Sequence, residues 1–167
     1  MNEKELNGIG GWLILPMLGL ILTPIRIGYL LLVSFLPILT DGSWEILTTP
    51  GSHAYHELWG PVLIFEMAVN IIFGVTSIVL LILLFSKHHL FPKLIIGFYL
   101  LNIAFIATDN FISGFIPAVA EQDDTESTTE LIRSIITAAI WIPYFLKSER
   151  IKNTFTKDEE SNPGNTI

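Results

Sequence analysis

Apolar residues along this chain fall into four nearly unbroken stretches. The first runs from Gly10 to Leu39 with one charge, Arg26, and the second, Trp59 to Ser86, holds only Glu66. The third, Leu94 to Ala120, holds only Asp109, while the fourth, Thr128 to Leu146, carries Glu130 and Arg133 in its first turns. A bilayer core of about 30 Å is crossed by roughly 20 helical residues rising about 1.5 Å each, so every stretch is long enough to span. Helices this continuously apolar leave no water-facing side for a soluble fold. The pattern predicts an all-α integral membrane four-helix bundle. Its helices cover residues 11–39, 59–86, 92–120 and 128–147 of a single domain, 1–156, and the polar residues 157–167 form a disordered cytoplasmic tail.

Local signals place the helix ends. Pro61 and Pro92 fall in first turns, where a missing N–H costs nothing. Ser127-Thr128-Thr129-Glu130 has the spacing of a capping box and marks the start of the fourth helix. Pro16 and Pro24 lie inside the first helix, and Pro24 is expected to kink it near Arg26. Trp12, Trp59, Trp141 and Tyr144 suit the aromatic belts of the two interfaces. Ile151 and Phe155, four apart among Lys147, Arg150 and Lys152, predict a short interfacial helix on the inner leaflet. The N-terminus has one Lys, no small-residue cleavage site and an apolar run too long for a secretory signal, so the first helix is read as retained.

Charge sets the orientation. Of the nine Lys and Arg, two (Arg26 and Arg133) lie within the stretches. The others, Lys4, Lys87, Lys93, Lys147, Arg150, Lys152 and Lys157, all fall on one side, and the segments Thr40–Leu58 and Glu121–Thr129 have none. The positive-inside rule therefore puts both termini in the cytoplasm and the two longer, acidic loops outside. Only 15% of residues are charged and mean hydropathy is +0.58, against about 25% charged in soluble domains. Sixteen acidic residues against nine basic give a net charge of −7, which argues against nucleic acid as a partner. With no cysteine, thiol nucleophiles, thiolate metal sites and disulfide scaffolds are excluded.

The informative residues are the ionisable ones inside the apolar stretches, since each costs about 2.5–3.5 kcal/mol at mid-bilayer on insertion scales and asks for a partner or a use. Counting from the helix ends puts Glu66 about 10 Å and Arg26 about 15–20 Å below the outer edge. Asp109 and Arg133 also fall in the outer half. Together with Asn70, Asn102 and Asn110 they define an expected buried polar cluster: Arg26, Glu66, Asn70, Asn102, Asp109, Asn110 and Arg133. Arg26 is expected to pair with Glu66, and Arg133 with Asp109; the alternative for Arg133 is Glu130, three residues earlier, or the membrane surface. Such pairs either fix helix register or form an ion, proton or polar-ligand site, or an interface with another membrane protein.

Other constellations carry less. His53-x-x-His56-Glu57 lacks the H-E-x-x-H spacing of a zinc protease, and topology separates His88–His89 from it. Asp123–Asp124 lacks the ligand spacing of a calcium loop. No phosphate-binding glycine loop or nucleophile elbow occurs, and Gly10-Gly11 marks the entry to the first helix. Phe98, Phe105 and Phe111 are read as packing in lipid or in the bundle. No catalytic, metal or cofactor site is expected, and no enzyme activity.

The segment from Trp141 to Phe155, WIPYFLKSERIKNTF, resembles the domain of unknown function 2569 family, small bacterial four-helix inner-membrane proteins. Gly10-Gly11-Trp12-Leu13, Phe65-Glu66 with Asn70, and Phe91-Pro92-Lys93 support the resemblance. It implies a multi-pass protein of the bacterial inner membrane and adds interest to Glu66, but implies no chemistry. The expected function is that of a non-enzymatic structural, accessory or partner-binding membrane protein. Its partners are the lipid bilayer and another membrane protein or a second copy of itself. The alternative is a small transporter or proton-coupled carrier using Glu66 and Asp109.

Overall fold

A computed structural model of the chain describes residues 8–121 and 125–155. The expected tail at 157–167, Lys4 and Asp123–Asp124 lie outside the described residues. Every described element is helical. Helix α1 spans Gly11–Thr40, α3 Trp59–Phe85, α4 Phe91–Ser113 and α6 Thr125–Lys147, and these four are long and apolar enough to cross a membrane. Two short helices lie between them, α2 (Ser43–Thr48) and α5 (Pro117–Ala120), and a third, α7 (Glu149–Thr154), follows the last.

The differences from the expected boundaries have local causes. Helix α1 opens with a 3-10 turn, Gly11–Leu13, and stays α-helical through Pro24. A π turn follows at Leu31–Phe35, a feature not expected from the sequence. Pro37 explains the place: it offers no N–H to the carbonyl four residues back and its ring crowds that carbonyl, so the preceding turn widens. The third long helix ends at Ser113, earlier than expected. Ile116 is extended (φ −89, ψ 114), as the residue before a proline tends to be, and Pro117 starts α5 afresh. Within the segment read as an outer loop, Gly42 takes φ +87 and the Ser43 N–H donates to Asp41 Oδ1 at 2.9 Å, which starts α2.

The long helices pack in chain order, α1 on α3, α3 on α4 and α4 on α6. Small residues bring α1 close to α3. A Cβ on Gly74 would lie 3.6 Å from Ile27 Cγ2, so the glycine lets Ile27 lie against the helix backbone. Ser77, fully buried beside it, satisfies its hydroxyl by donating to the Gly74 carbonyl at 2.7 Å.

At one end all the long helices share an apolar core. Leu13 and Leu20 of α1, Leu80 and Leu84 of α3, Phe91 and Ile95 of α4 and Phe145 of α6 meet there. Helix α7 folds back onto the same core. Phe155 stacks on Phe91 with ring centroids 4.9 Å apart, Ile151 and Thr154 are buried, and the Gly8 N–H donates to Thr154 Oγ1 at 3.0 Å. The short helix read from Ile151 and Phe155 therefore exists, but its apolar face caps the protein's own core rather than lying in the leaflet. Spacing alone shows that a face is apolar, not what covers it.

The outer surface is apolar. Leu22, Leu32, Ile72, Leu101 and Phe111 each keep more than 60% of their surface exposed. Contiguous exposure on this scale is tolerable where hydrocarbon replaces water.

Candidate functional site

A cavity of about 1220 Å³ opens among α1, α3, α4 and α6, bordered at one end by Leu20 of the packed core and by Tyr99 and Trp141 against it. Helix geometry brings its polar side chains together. Glu66 and Asn70 stand one turn apart on α3, Asn102 and Asp109 two turns apart on α4, and Glu130 and Arg133 one turn apart on α6. All seven residues picked out by the sequence, Arg26, Glu66, Asn70, Asn102, Asp109, Asn110 and Arg133, line this space.

They do not form the expected buried cluster. Glu66, Asp109 and the three asparagines are half-buried, and Arg26 and Arg133 are exposed. The lateral spread of the helices leaves space where a closed bundle would interdigitate side chains.

Neither expected ion pair forms among the described residues. Arg26 reaches across to α6, where its Nη2 donates to Glu130 Oε1 at 2.8 Å, instead of pairing with Glu66 on α3. Arg133 bonds neither to Asp109 nor to Glu130; among the described residues its guanidinium has no carboxylate partner. The start of α6 explains the exchange. Because the helix begins at Thr125 rather than at the capping-box position, Glu130 sits beyond the first turn and is free to face α1. Sequence reasoning assigned Glu130 to a cap and so missed it as a cavity residue; the signal was its place within the apolar period of the fourth stretch.

Glu66 of α3 and Asp109 of α4, both half-buried, line the same cavity. Oδ1 of Asp109 is buried and no donor of the described residues reaches it. The asparagines are otherwise occupied. Asn70 Nδ2 donates to the Glu66 carbonyl one turn back at 2.9 Å, and Asn110 Nδ2 donates across to the Ser127 carbonyl of α6 at 3.4 Å.

Aromatic rings form the wall between α3 and α4. Phe73 packs tilted against Phe98 and Phe105, centroids 5.0 and 6.1 Å away, and Tyr99 and Trp141 also line the space. Of the aromatics named from the sequence, Phe98 and Phe105 thus face the cavity, while Phe111 stands 70% exposed. His53 and His56 are not part of the lining. His56 Nδ1 accepts the Leu58 N–H at 3.3 Å, which closes a local turn. Among the described residues no three His, Asp or Glu side chains gather as a metal site.

The lining can hold charge of either sign beside apolar and aromatic surface, in a space large enough for a small amphiphile. A family model described as a protein of unknown function, DUF2569, matches residues 6–156. No curated protein and no solved structure matches.

Proposed function

Since the chain belongs to the DUF2569 family, for which no activity is assigned, we propose from its structure a non-enzymatic membrane protein that receives a ligand or a partner segment in the cavity among α1, α3, α4 and α6. In this reading it is a multi-pass protein of the bacterial inner membrane with both termini cytoplasmic. The packed end carrying α7 then faces inward, in keeping with the basic residues around it. The cavity itself carries the proposal. A space of about 1220 Å³ lined by carboxylates, amides and guanidinium groups is costly to keep unless something fills it.

Gly19 provides the test. It lines the cavity, and a Cβ there would meet nothing within 4 Å, so Gly19→Trp introduces a ring on the cavity side from a position with room for its first carbon. Native mass spectrometry of protein extracted from membranes is expected to show a bound small molecule or partner in wild type and its loss in the variant, with thermal stability kept. Identical spectra without any bound species would overturn the reading. The chain has no cysteine, so single cysteines at Ser52 and Ser148 report sidedness directly by membrane-impermeant labelling in intact cells. Ser52 is expected to react and Ser148 not.

A second reading, a proton-coupled carrier, is favoured by the carboxyls of Glu66 and Asp109, which line one cavity. Proteoliposomes under a pH gradient test it through proton flux that Glu66→Gln abolishes.

A further inference from the structure

We propose that the cavity admits the headgroup of a bilayer glycerophospholipid through the seam between α1 and α6, its phosphate meeting Arg133 while its acyl chains stay outside in the membrane. The inference rests on the cavity being a binding site; it names the ligand class and the side from which that ligand enters.

The seam comes from the packing. Helix α1 lies on α3 and α6 lies on α4, but α1 and α6 do not pack on each other, and the exposed Arg26–Glu130 pair bridges the space between them. Both helices line the cavity. Both are also among the four long and apolar enough to cross a membrane, so in a bilayer the seam opens sideways into hydrocarbon. What passes through it comes from the membrane.

The two walls of the seam are sorted by polarity. Between Thr129 and Trp141 every charged or hydroxyl side chain of α6, namely Thr129, Glu130, Arg133, Ser134 and Thr137, lines the cavity. Ile132, Ile136 and Ile140 stand outside that stripe and are exposed. On α1, Thr23 and Arg26 line the cavity, whereas Leu18 and Ile25 are exposed away from it. A polar stripe between apolar rims is poorly met by hydrocarbon, which offers no hydrogen bond. It suits an amphiphile lying with its polar end inside and its chains outside. Such a ligand needs an opening along the side, since its headgroup cannot leave its chains.

Arg133 selects the phosphate. It is exposed on the polar stripe, and among the described residues its guanidinium has no carboxylate partner. Glu130, one turn before it, is engaged by Arg26 at 2.8 Å. The hydroxyls beside it are satisfied within the helix: Ser134 Oγ donates to the Leu131 carbonyl at 2.7 Å and Thr137 Oγ1 to the Arg133 carbonyl at 2.8 Å. An unmatched guanidinium within a membrane span is costly. Its planar fork of N–H donors matches two phosphate oxygens at once, with the opposite charge. A sugar headgroup would bring acceptors without that charge.

Photochemical capture supplies the test. The full chain carries p-benzoylphenylalanine either at Thr137, on the polar stripe, or at Ile136, on the outward face of the same helix. Each protein is placed in nanodiscs of equal parts phosphatidylcholine and a galactosyl diacylglycerol with the same chains, irradiated, and its lipid adducts are mapped by mass spectrometry. The Thr137 probe is expected to capture phosphatidylcholine through headgroup or glycerol carbons, about tenfold over the galactolipid. The Ile136 probe is expected to capture both lipids equally, through acyl carbons. Arg133→Gln should remove the tenfold preference at Thr137 and leave capture at Ile136 unchanged. If the Thr137 protein fails to fold, the same probe at Thr23 on the facing wall gives the reading. Acyl-carbon adducts at Thr137 like those at Ile136 would overturn the headgroup-inward orientation, and equal capture of the two lipids would overturn the phosphate assignment. A protein adduct at Thr137 would overturn the lipid proposal and leave the cavity reading in place. No adduct at Thr137 or Thr23, with Ile136 still capturing lipid, would overturn both.

Discussion

Arg26 and Glu130 meet at 2.8 Å across the open side of the fold, joining the first long helix to the last. The side chains are 72% and 47% exposed, so in detergent solution the pair is screened and worth little on its own. A double-mutant cycle with Arg26→Gln and Glu130→Gln is expected to give a coupling below about 1 kcal/mol in thermal unfolding. The charge exchange Arg26→Glu with Glu130→Arg should restore what each single reversal loses. Repeating the cycle in nanodiscs is expected to raise the coupling, because hydrocarbon screens less than water.

Phe155 offers a sharper test of the fold. It is 6% exposed and stacks on Phe91, so Phe155→Ala should destabilise the protein by about 3 kcal/mol through a cavity in the core. A side chain resting in the leaflet would leave unfolding in micelles unchanged. Circular dichroism melts of the two proteins separate the cases.

Gly11 sits at φ +58, with the Arg150 guanidinium carbon 3.6 Å from where its Cβ would be. Ala at this position is expected to cost about 1 kcal/mol from backbone strain alone. Gly19→Ala, in ordinary helix with open space around it, should stabilise slightly instead. The opposite signs make the pair a control for each other in one melting experiment.

Asp41 gives a pH dependence. Hydrogen bonds from Ser43, side chain and backbone, hold its carboxyl below the usual carboxylate range. A depressed pKa stabilises the folded turn at pH above the ordinary carboxylate value, and that contribution disappears as pH falls through the lowered value. The protection of the Ser43 amide, measured against its intrinsic exchange rate, is therefore expected to fall below about pH 4 in wild type and to lose that pH dependence in Asp41→Asn.

Much of this architecture was legible in the amino-acid order. The second long helix, expected at 59–86, runs Trp59–Phe85, because an apolar run with Glu66 as its one charge, opened near Pro61 and closed by polar Ser86, leaves few alternatives. The residues of the cavity were legible too, since each charge within an apolar stretch stands out. Their pairing was not. Arg26 could meet Glu66 or Glu130 depending on how far α1 stands from α3 and α6, and depth along the bilayer cannot distinguish partners at similar height. Nor could spacing show that Ile151 and Phe155 face inward, since an apolar face looks alike whether lipid or a neighbouring phenylalanine covers it.

The uneven distribution of packing along the helices has a mechanical consequence. At one end Phe91, Phe145 and Phe155 lock the helices together, whereas toward the other a solvent-reachable ion pair is the tie between α1 and α6 among the described residues. Any splaying motion therefore pivots about the aromatic knot, like tongs about their rivet. Competition for Glu130 or Arg26 by an incoming charge would widen the jaws while leaving the rivet intact.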